Sequence, residues 1–292
     1  MHIRKLLFVC ALSILSITIF AQETGFKFDV PYGNNPAVGK FADINGFKMY
    51  YEEYGQGEPL LLIHGNGGSI AIMGFQIEHF SKNFRCIIAD SRGHGKSTLN
   101  TNQLQYPKMA EDWVALLDYL KVDSANVVGW SDGGILGLLI AINHPKKVKK
   151  LAIMGANLEP DSTAIYPWAV KWVKDFDKAI DKKIASKDTT QDWKFQKQLF
   201  NLLGKQPHIP TTDLKKISAP TLVMGGDKDV IREQHTMKIY QNIPHSQLCI
   251  FPGQTHMIPV MDAPLFNATL ERFLTMPFTR PDTKDFFTPV PK

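Results

Sequence analysis

Cysteine is scarce in this chain, three in 292 residues, and no C-x-x-C pair occurs. Neither an H-E-x-x-H motif nor an EF-hand loop is present, so no metal site is indicated. Charge of one sign is also lacking. The 33 basic and 28 acidic residues leave a formal net charge of +5, too weak an imbalance to imply nucleic acid or an anionic surface as partner. No internal repeat and no low-complexity tract is visible, which argues against fibrous and disordered classes. No apolar run reaches the roughly 20 residues that span a bilayer. What remains is an ordinary composition, 44% hydrophobic and 21% charged. The length suits one large α/β domain, or a core domain carrying an inserted subdomain.

The apolar residues come in short blocks. After a lead-in containing Gly and Pro, GKFADINGFKMYYEEYG reads as two strands joined at Asn45-Gly46, a strong hairpin signal. The runs PLLLIHG, RCIIAD, ANVVGW, KKLAIMG, PTLVMGG and QLCIFPG follow, with little polar alternation, as suits parallel strands buried on both faces. Between them, residues 107–121 place apolar side chains at helical spacing, and residues 132–143 are apolar almost all round. Alternation of this kind predicts an α/β fold, a mostly parallel sheet with an antiparallel hairpin at its start. Cys86 and Cys249 fall in two of the strand-like runs and read as unpaired core residues rather than a disulfide.

Residues 158–212 break the alternation. The stretch is aromatic and charged, with Trp168, Trp172, Trp193, Phe195 and Phe200 and no strand-like run. It reads as helices inserted between a first core segment, 22–157, and a second, 213–276. Ligands of open α/β sheets bind at the carboxyl ends of the strands, where this insertion leaves and returns, so it is expected to form a lid. Residues 277–292, rich in Pro, read as a loosely held tail.

The stretch GWSDGG, residues 129–134, is a G-x-S-x-G match, which on its own occurs by chance in roughly one chain in ten of this length. Its context is more specific. ANVVGW is strand-like and DGGILGLLIAIN helix-like, so Ser131 falls at a strand-to-helix turn. There the side chain is pushed into an exposed, strained position, and Gly129 and Gly133 let the two elements approach. His64-Gly65-Asn66-Gly67-Gly68 follows the first buried run, and Asp90-Ser91-Arg92-Gly93-His94-Gly95-Lys96-Ser97 follows the next.

With these three segments in order, the chain resembles the α/β-hydrolase family over essentially its whole length beyond the leader. GWSDGG with GDKD looks most like the valacyclovir hydrolase (biphenyl hydrolase-like) group, although lactonases and C–C hydrolases share much of the pattern. The resemblance implies a serine nucleophile, an acid and a histidine in that order, with no metal or organic cofactor. Ser131 is then the nucleophile. His256, in a G-x-x-H context just past the last strand, is the base, and Asp229 the orienting acid by the family's G-x-x-D spacing, with Asp227 the alternative. The oxyanion hole is expected from the backbone N–H groups of Asp132 and Asn66, with Gly67 next in line. Asp132, Gly67 and Trp130 are candidate substrate contacts. Asp132 carries two readings: a helix-start residue that interacts with free N–H groups and the dipole, or a carboxylate facing a cationic substrate. His64 and His94 read as structural members of their loops, and His79, His144, His208, His235 and His245 as surface or helix-end residues. The implied activity is hydrolysis of a carboxylic ester of a small or medium-sized substrate. A lactone or C–C bond hydrolase with the same triad, or a catalytically silent hydrolase-fold binding protein, are the alternatives.

The first 21 residues are a separate object. Arg4 and Lys5 precede sixteen uncharged apolar or small residues ending at Ala21, the pattern of a secretory signal peptide. Its removal takes two basic residues and leaves a net charge of +3, with no stable membrane association expected afterwards. Expressed in its native host, the protein should be recovered outside the cytoplasm with an N-terminus at Gln22. An intact mass retaining Met1 in a soluble cytoplasmic protein would contradict this.

Overall fold

The computed structural model of the protein describes residues 27–287; residues 1–26, which include the leader and the expected cleavage site, and the last five residues lie outside them. Eight strands form one sheet: β1 (Lys40–Ile44), β2 (Phe47–Tyr54), β3 (Glu58–Ile63), β4 (Phe84–Ala89), β5 (Ala125–Trp130), β6 (Val148–Met154), β7 (Thr221–Lys228) and β8 (Ser246–Thr255). Their order across the sheet is β1-β2-β4-β3-β5-β6-β7-β8. β1 and β2 pair antiparallel about the Asn45-Gly46 turn, and β2 meets β4 antiparallel. Every pairing from β4 through to β8 is parallel.

The sheet is buried on both faces, which explains the missing alternation in its central strands. Along β3, Leu61 and Ile63 point into one cluster with Trp113, Leu117 and Leu138. Leu60 and Leu62 point the other way, into a cluster with Ile77, Phe266 and Leu270. Successive strand side chains face opposite sides, so a strand covered twice must be apolar at every position. One layer is built from the helices Tyr106–Tyr119 and Asp132–Asn143, the other from Gly74–Phe80 and Ala263–Thr275. Cys86 is buried and Cys249 half-buried, both as free thiols. Between β6 and β7 the chain forms the helices Pro167–Ala185 and Trp193–Lys205 and a short turn of helix, Thr211–Leu214. Among the described residues no helix is long and apolar enough to cross a membrane.

The tightest packing is where β5 turns into the helix Asp132–Asn143. A Cβ on Gly129 would overlap the Gly133 carbonyl, and one on Gly133 would overlap the Ile63 carbonyl. Backbone touches backbone there, with no side chain able to yield. At Gly137, four residues on in the same helix, a Cβ would meet only side chains, the nearest a Leu151 methyl at 3.0 Å. Gly133→Ala should therefore destabilise the fold by about 1–3 kcal/mol, while at Gly137→Ala the gain in helix propensity, about 1 kcal/mol, offsets the tighter contact. Thermal unfolding checks this: equal midpoints for the two variants would contradict the packing argument.

Candidate active site

Three strands deliver one side chain each, at or just past their carboxyl ends. Ser131 follows β5 with φ 58° and ψ −120°, a left-handed conformation that a non-glycine residue holds only under restraint. Its N–H donates to the Met154 carbonyl (2.8 Å), and its carbonyl accepts the N–H groups of Gly134 and Ile135. Asp229 follows β7 and His256 follows β8. The Ser131 Oγ hydroxyl donates to His256 Nε2 over 2.9 Å, and His256 Nδ1–H donates to Asp229 Oδ1 over 2.6 Å. Asp229 also accepts the Ile231 N–H (3.1 Å) and the Gly226 N–H (3.4 Å). Asp227 lies apart: its Oδ2 accepts the Gly253 N–H at 2.9 Å, bracing β7 against β8, and it makes no hydrogen bond to His256.

The charges in this series stabilise one another. Burial pushes the Asp229 carboxyl up, but the His256 charge and the three hydrogen bonds outweigh it and hold the group below the usual carboxylate range. Burial pulls the His256 imidazole down, but the Asp229 charge and hydrogen bond, helped by the charge of Asp132, raise it above its ordinary value. Gly155, at φ 64°, passes over the ring so closely that a Cβ would stand 2.6 Å from His256 Cε1.

The loop after β3 lies against the serine: a Cβ on Gly65 would be 3.0 Å from Ser131 Cβ. Within it the Gly68 N–H donates to the Gly65 carbonyl (3.1 Å), and the Gly67 N–H to His94 Nε2 (3.1 Å). Among the described residues the backbone N–H groups of Asn66 and Asp132 have no acceptor in the protein. Asp90 ties this loop to the next. Its two oxygens accept the Ile70 N–H and the Lys96 N–H, each at 2.8 Å. His64 completes the tie, donating from Nδ1 to the Gly65 carbonyl (2.8 Å) and accepting the Ser91 N–H at Nε2 (3.0 Å). His64 and His94 are both inside their loops, as expected.

Ser131, His256 and Asp132 line a cavity of about 710 Å³ that is also lined by Trp168, Trp172 and Phe200 of the inserted helices. Asp132 is buried, and its Oδ2 accepts Asn66 Nδ2–H at 2.9 Å. Burial raises its carboxyl to about 6, against the hydrogen bond from Asn66. Beside it the Tyr106 hydroxyl, fully buried, makes no hydrogen bond of ordinary geometry. Asn66 and Gly67 also line the cavity.

One expectation is corrected and a second holds only in part. Trp130, a candidate substrate contact, is not at the cavity. Its ring is 5% exposed in the core layer opposite, and its indole N–H donates to the His256 carbonyl at 2.9 Å. As the last residue of a strand covered on both faces, it points away from the site and steadies the histidine from behind. His235, expected at a surface or helix end, does lie in the first turn of the helix Glu233–Asn242, but it is buried and its Nε2 accepts the Leu158 N–H at 3.0 Å. It pins the start of the insertion. Tyr106 and Gly155 carry no sequence signal for their places here. Among the described residues no three metal-ligating side chains converge.

Comparison with known proteins gives the same architecture. Residues 58–200 match the family model described as the alpha/beta hydrolase fold. The chain is 28% identical over 247 residues to the serine hydrolase BPHL of Mus musculus, covering 79% of this chain and 84% of that one. It is 26% identical over 271 residues to a 2-hydroxymuconate semialdehyde hydrolase of Pseudomonas putida, covering 82% and 95%. Among solved structures, one titled Est816, an N-acyl homoserine lactone degrading enzyme, superposes with a TM-score of 0.67 at 26% identity, over 80% of this chain and 100% of that one. By sequence and by fold, the chain belongs to the α/β-hydrolase family, with a BPHL-like pattern.

Proposed function

We propose that the protein is an exported serine hydrolase that cleaves a carboxylic ester of a small or medium-sized substrate. The observation that carries this reading is the continuous hydrogen-bonded series from Ser131 Oγ through His256 to Asp229, bordering the cavity. Ser131 Oγ attacks the ester carbonyl carbon while His256 Nε2 takes its proton, and Asp229 stabilises the imidazolium. The carbonyl oxygen becomes an oxyanion facing the Asn66 and Asp132 N–H groups, which have no other acceptor. A preorganised donor of this kind contributes about 10²–10³-fold in kcat. The tetrahedral intermediate expels the alcohol, which takes the proton back from His256. Water, deprotonated by the same nitrogen, then releases the acid and regenerates Ser131. A second reading, hydrolysis of a lactone or a C–C bond by the same residues, draws on the names of the lactone-degrading and semialdehyde-hydrolase relatives.

Ser131→Ala and His256→Ala should each remove several orders of magnitude of kcat in folded protein. Asp229→Asn should cost far more than Asp227→Asn, because only Asp229 meets the imidazole; the reverse order would overturn the choice of acid. Protonated His256 cannot accept the serine proton, so kcat/KM should rise with pH. Since the histidine is raised above its ordinary value, the midpoint should lie above the roughly 6.5 of a free imidazole. An acid limb well below this would contradict the assigned pairing.

The Asp132 carboxylate supports a finer reading of the same site. Among the described residues it accepts no helix N–H, so of the helix-start role only the dipole part remains. It borders the cavity instead, where a negative group would favour a cationic substrate such as an amino-acyl ester. Asp132→Asn keeps the backbone N–H and removes the charge. Activity on an amino-acyl ester should fall by the worth of a charge-assisted hydrogen bond, about 1.5–3 kcal/mol, and activity on a neutral ester of the same size should change little. Equal losses in kcat/KM on the two esters would sink the cation reading.

A further inference from the structure

His94 is a polar side chain at the cavity that the acid–base series does not use. It is 3% exposed, and both ring nitrogens are committed to backbone. Nδ1–H donates to the Arg92 carbonyl at 3.0 Å, and Nε2 accepts the Gly67 N–H at 3.1 Å. Burial lowers its pKa to about 4, so the ring keeps this neutral tautomer at pH 7. The loop it grips has little shape of its own. Three of the four residues 65–68 are glycine, Gly67 stands at φ 67°, and glycine restrains a backbone least of all residues. Hydrogen bonds from outside must therefore set the direction of its N–H groups.

The Gly67 N–H shares a peptide plane with the Asn66 carbonyl, so the bond to His94 fixes the backbone on one side of Asn66. The contact of Gly65 with Ser131 fixes it on the other. Between these two holds the Asn66 N–H is left without an acceptor, and Asn66 lines the same cavity as Ser131. A neutral acceptor at His94 Nε2 also opposes rotation of that plane, which would turn the Asn66 carbonyl oxygen toward a lone pair. The inserted helix Trp193–Lys205 seats the imidazole from outside. The Phe195 ring meets it edge-on at 5.8 Å, and a Cβ on the adjacent Gly93 would stand 2.7 Å from Phe195 Cε2.

We infer that His94 is a positioning residue: by accepting the Gly67 N–H it holds the 65–68 loop with the Asn66 N–H over Ser131 as an oxyanion donor. This rests on the serine-hydrolase reading. A donor to the oxyanion acts on the transition state and not on the bound ester, so the effect belongs in kcat and not in KM.

The test compares His94→Gln with His94→Asn on a neutral ester, with Ser131→Ala as control. The Gln amide reaches about as far as Nε2 and can accept the Gly67 N–H; the shorter Asn amide cannot. His94→Asn should lose roughly tenfold to a hundredfold in kcat, part of the full worth of an oxyanion donor, with KM within about threefold of wild type. His94→Gln should recover most of that loss. If His94→Asn is too unstable to assay, His94→Met, which fills the volume without a strong acceptor, takes its place under the same criteria. Equal losses for Gln and Asn, a loss carried by KM, or no loss at all would each overturn the role. Activity that survives Ser131→Ala would instead overturn the serine-hydrolase reading, whatever the His94 variants do.

Discussion

The site depends on how closely the backbone of β5 and its following helix can approach the loop after β3. At Gly129, Gly133 and Gly65 the neighbouring atoms leave no room or almost none for a side chain, and Ser131 sits among them at φ 58°. A left-handed residue of this kind costs on the order of 1–3 kcal/mol. The hydrogen bond to the Met154 carbonyl and the first helix turn hold it in place. The strain aims Oγ off the end of the strand and toward His256. Relaxing any of these contacts would release the serine into an ordinary turn.

Around that point, burial and pairing act against each other. Burial alone would neutralise His256, Asp229 and Asp132. The partnership of His256 with Asp229 outweighs it for both members. For Asp132 burial wins, raising the carboxyl to about 6 despite the Asn66 hydrogen bond. The buried histidines 64 and 94 have no carboxylate partner, and burial keeps them neutral. Three kinds of buried titratable group therefore stand in three different states: a carboxylate–imidazole pair whose charges stabilise each other, a carboxylate held close to its own titration, and neutral rings hydrogen-bonded to backbone.

Much of this was legible in the residues. Strands covered on both faces must be apolar throughout, so the runs from PLLLIHG to QLCIFPG marked the parallel sheet. The helix expected over 132–143 matches Asp132–Asn143. The spacing that separates Asp229 from Asp227 proved to be a matter of strand geometry, since β7 ends at Lys228 and only the residue beyond it turns toward His256. The failures share one cause. Trp130 looked like a pocket residue because it precedes the serine, but the side of the sheet on which a strand's last residue emerges depends on register. His235 is buried at its helix start because its partner, the Leu158 N–H, lies 77 positions away in the chain, and no local pattern marks such a pairing. The preference for Asn66 over Gly67 rested on resemblance, and the bond from Gly67 to His94 is the physical ground that motif spacing alone does not supply.

The proposed chemistry requires Ser131 to be an activated nucleophile. Incubation with a fluorophosphonate, followed by intact-mass measurement and peptide mapping, asks this directly. One adduct per chain, located on Ser131 and abolished in His256→Ala as well as Ser131→Ala, is the predicted result. An unlabelled protein that nevertheless turns over an ester, or an adduct on another residue, would contradict it.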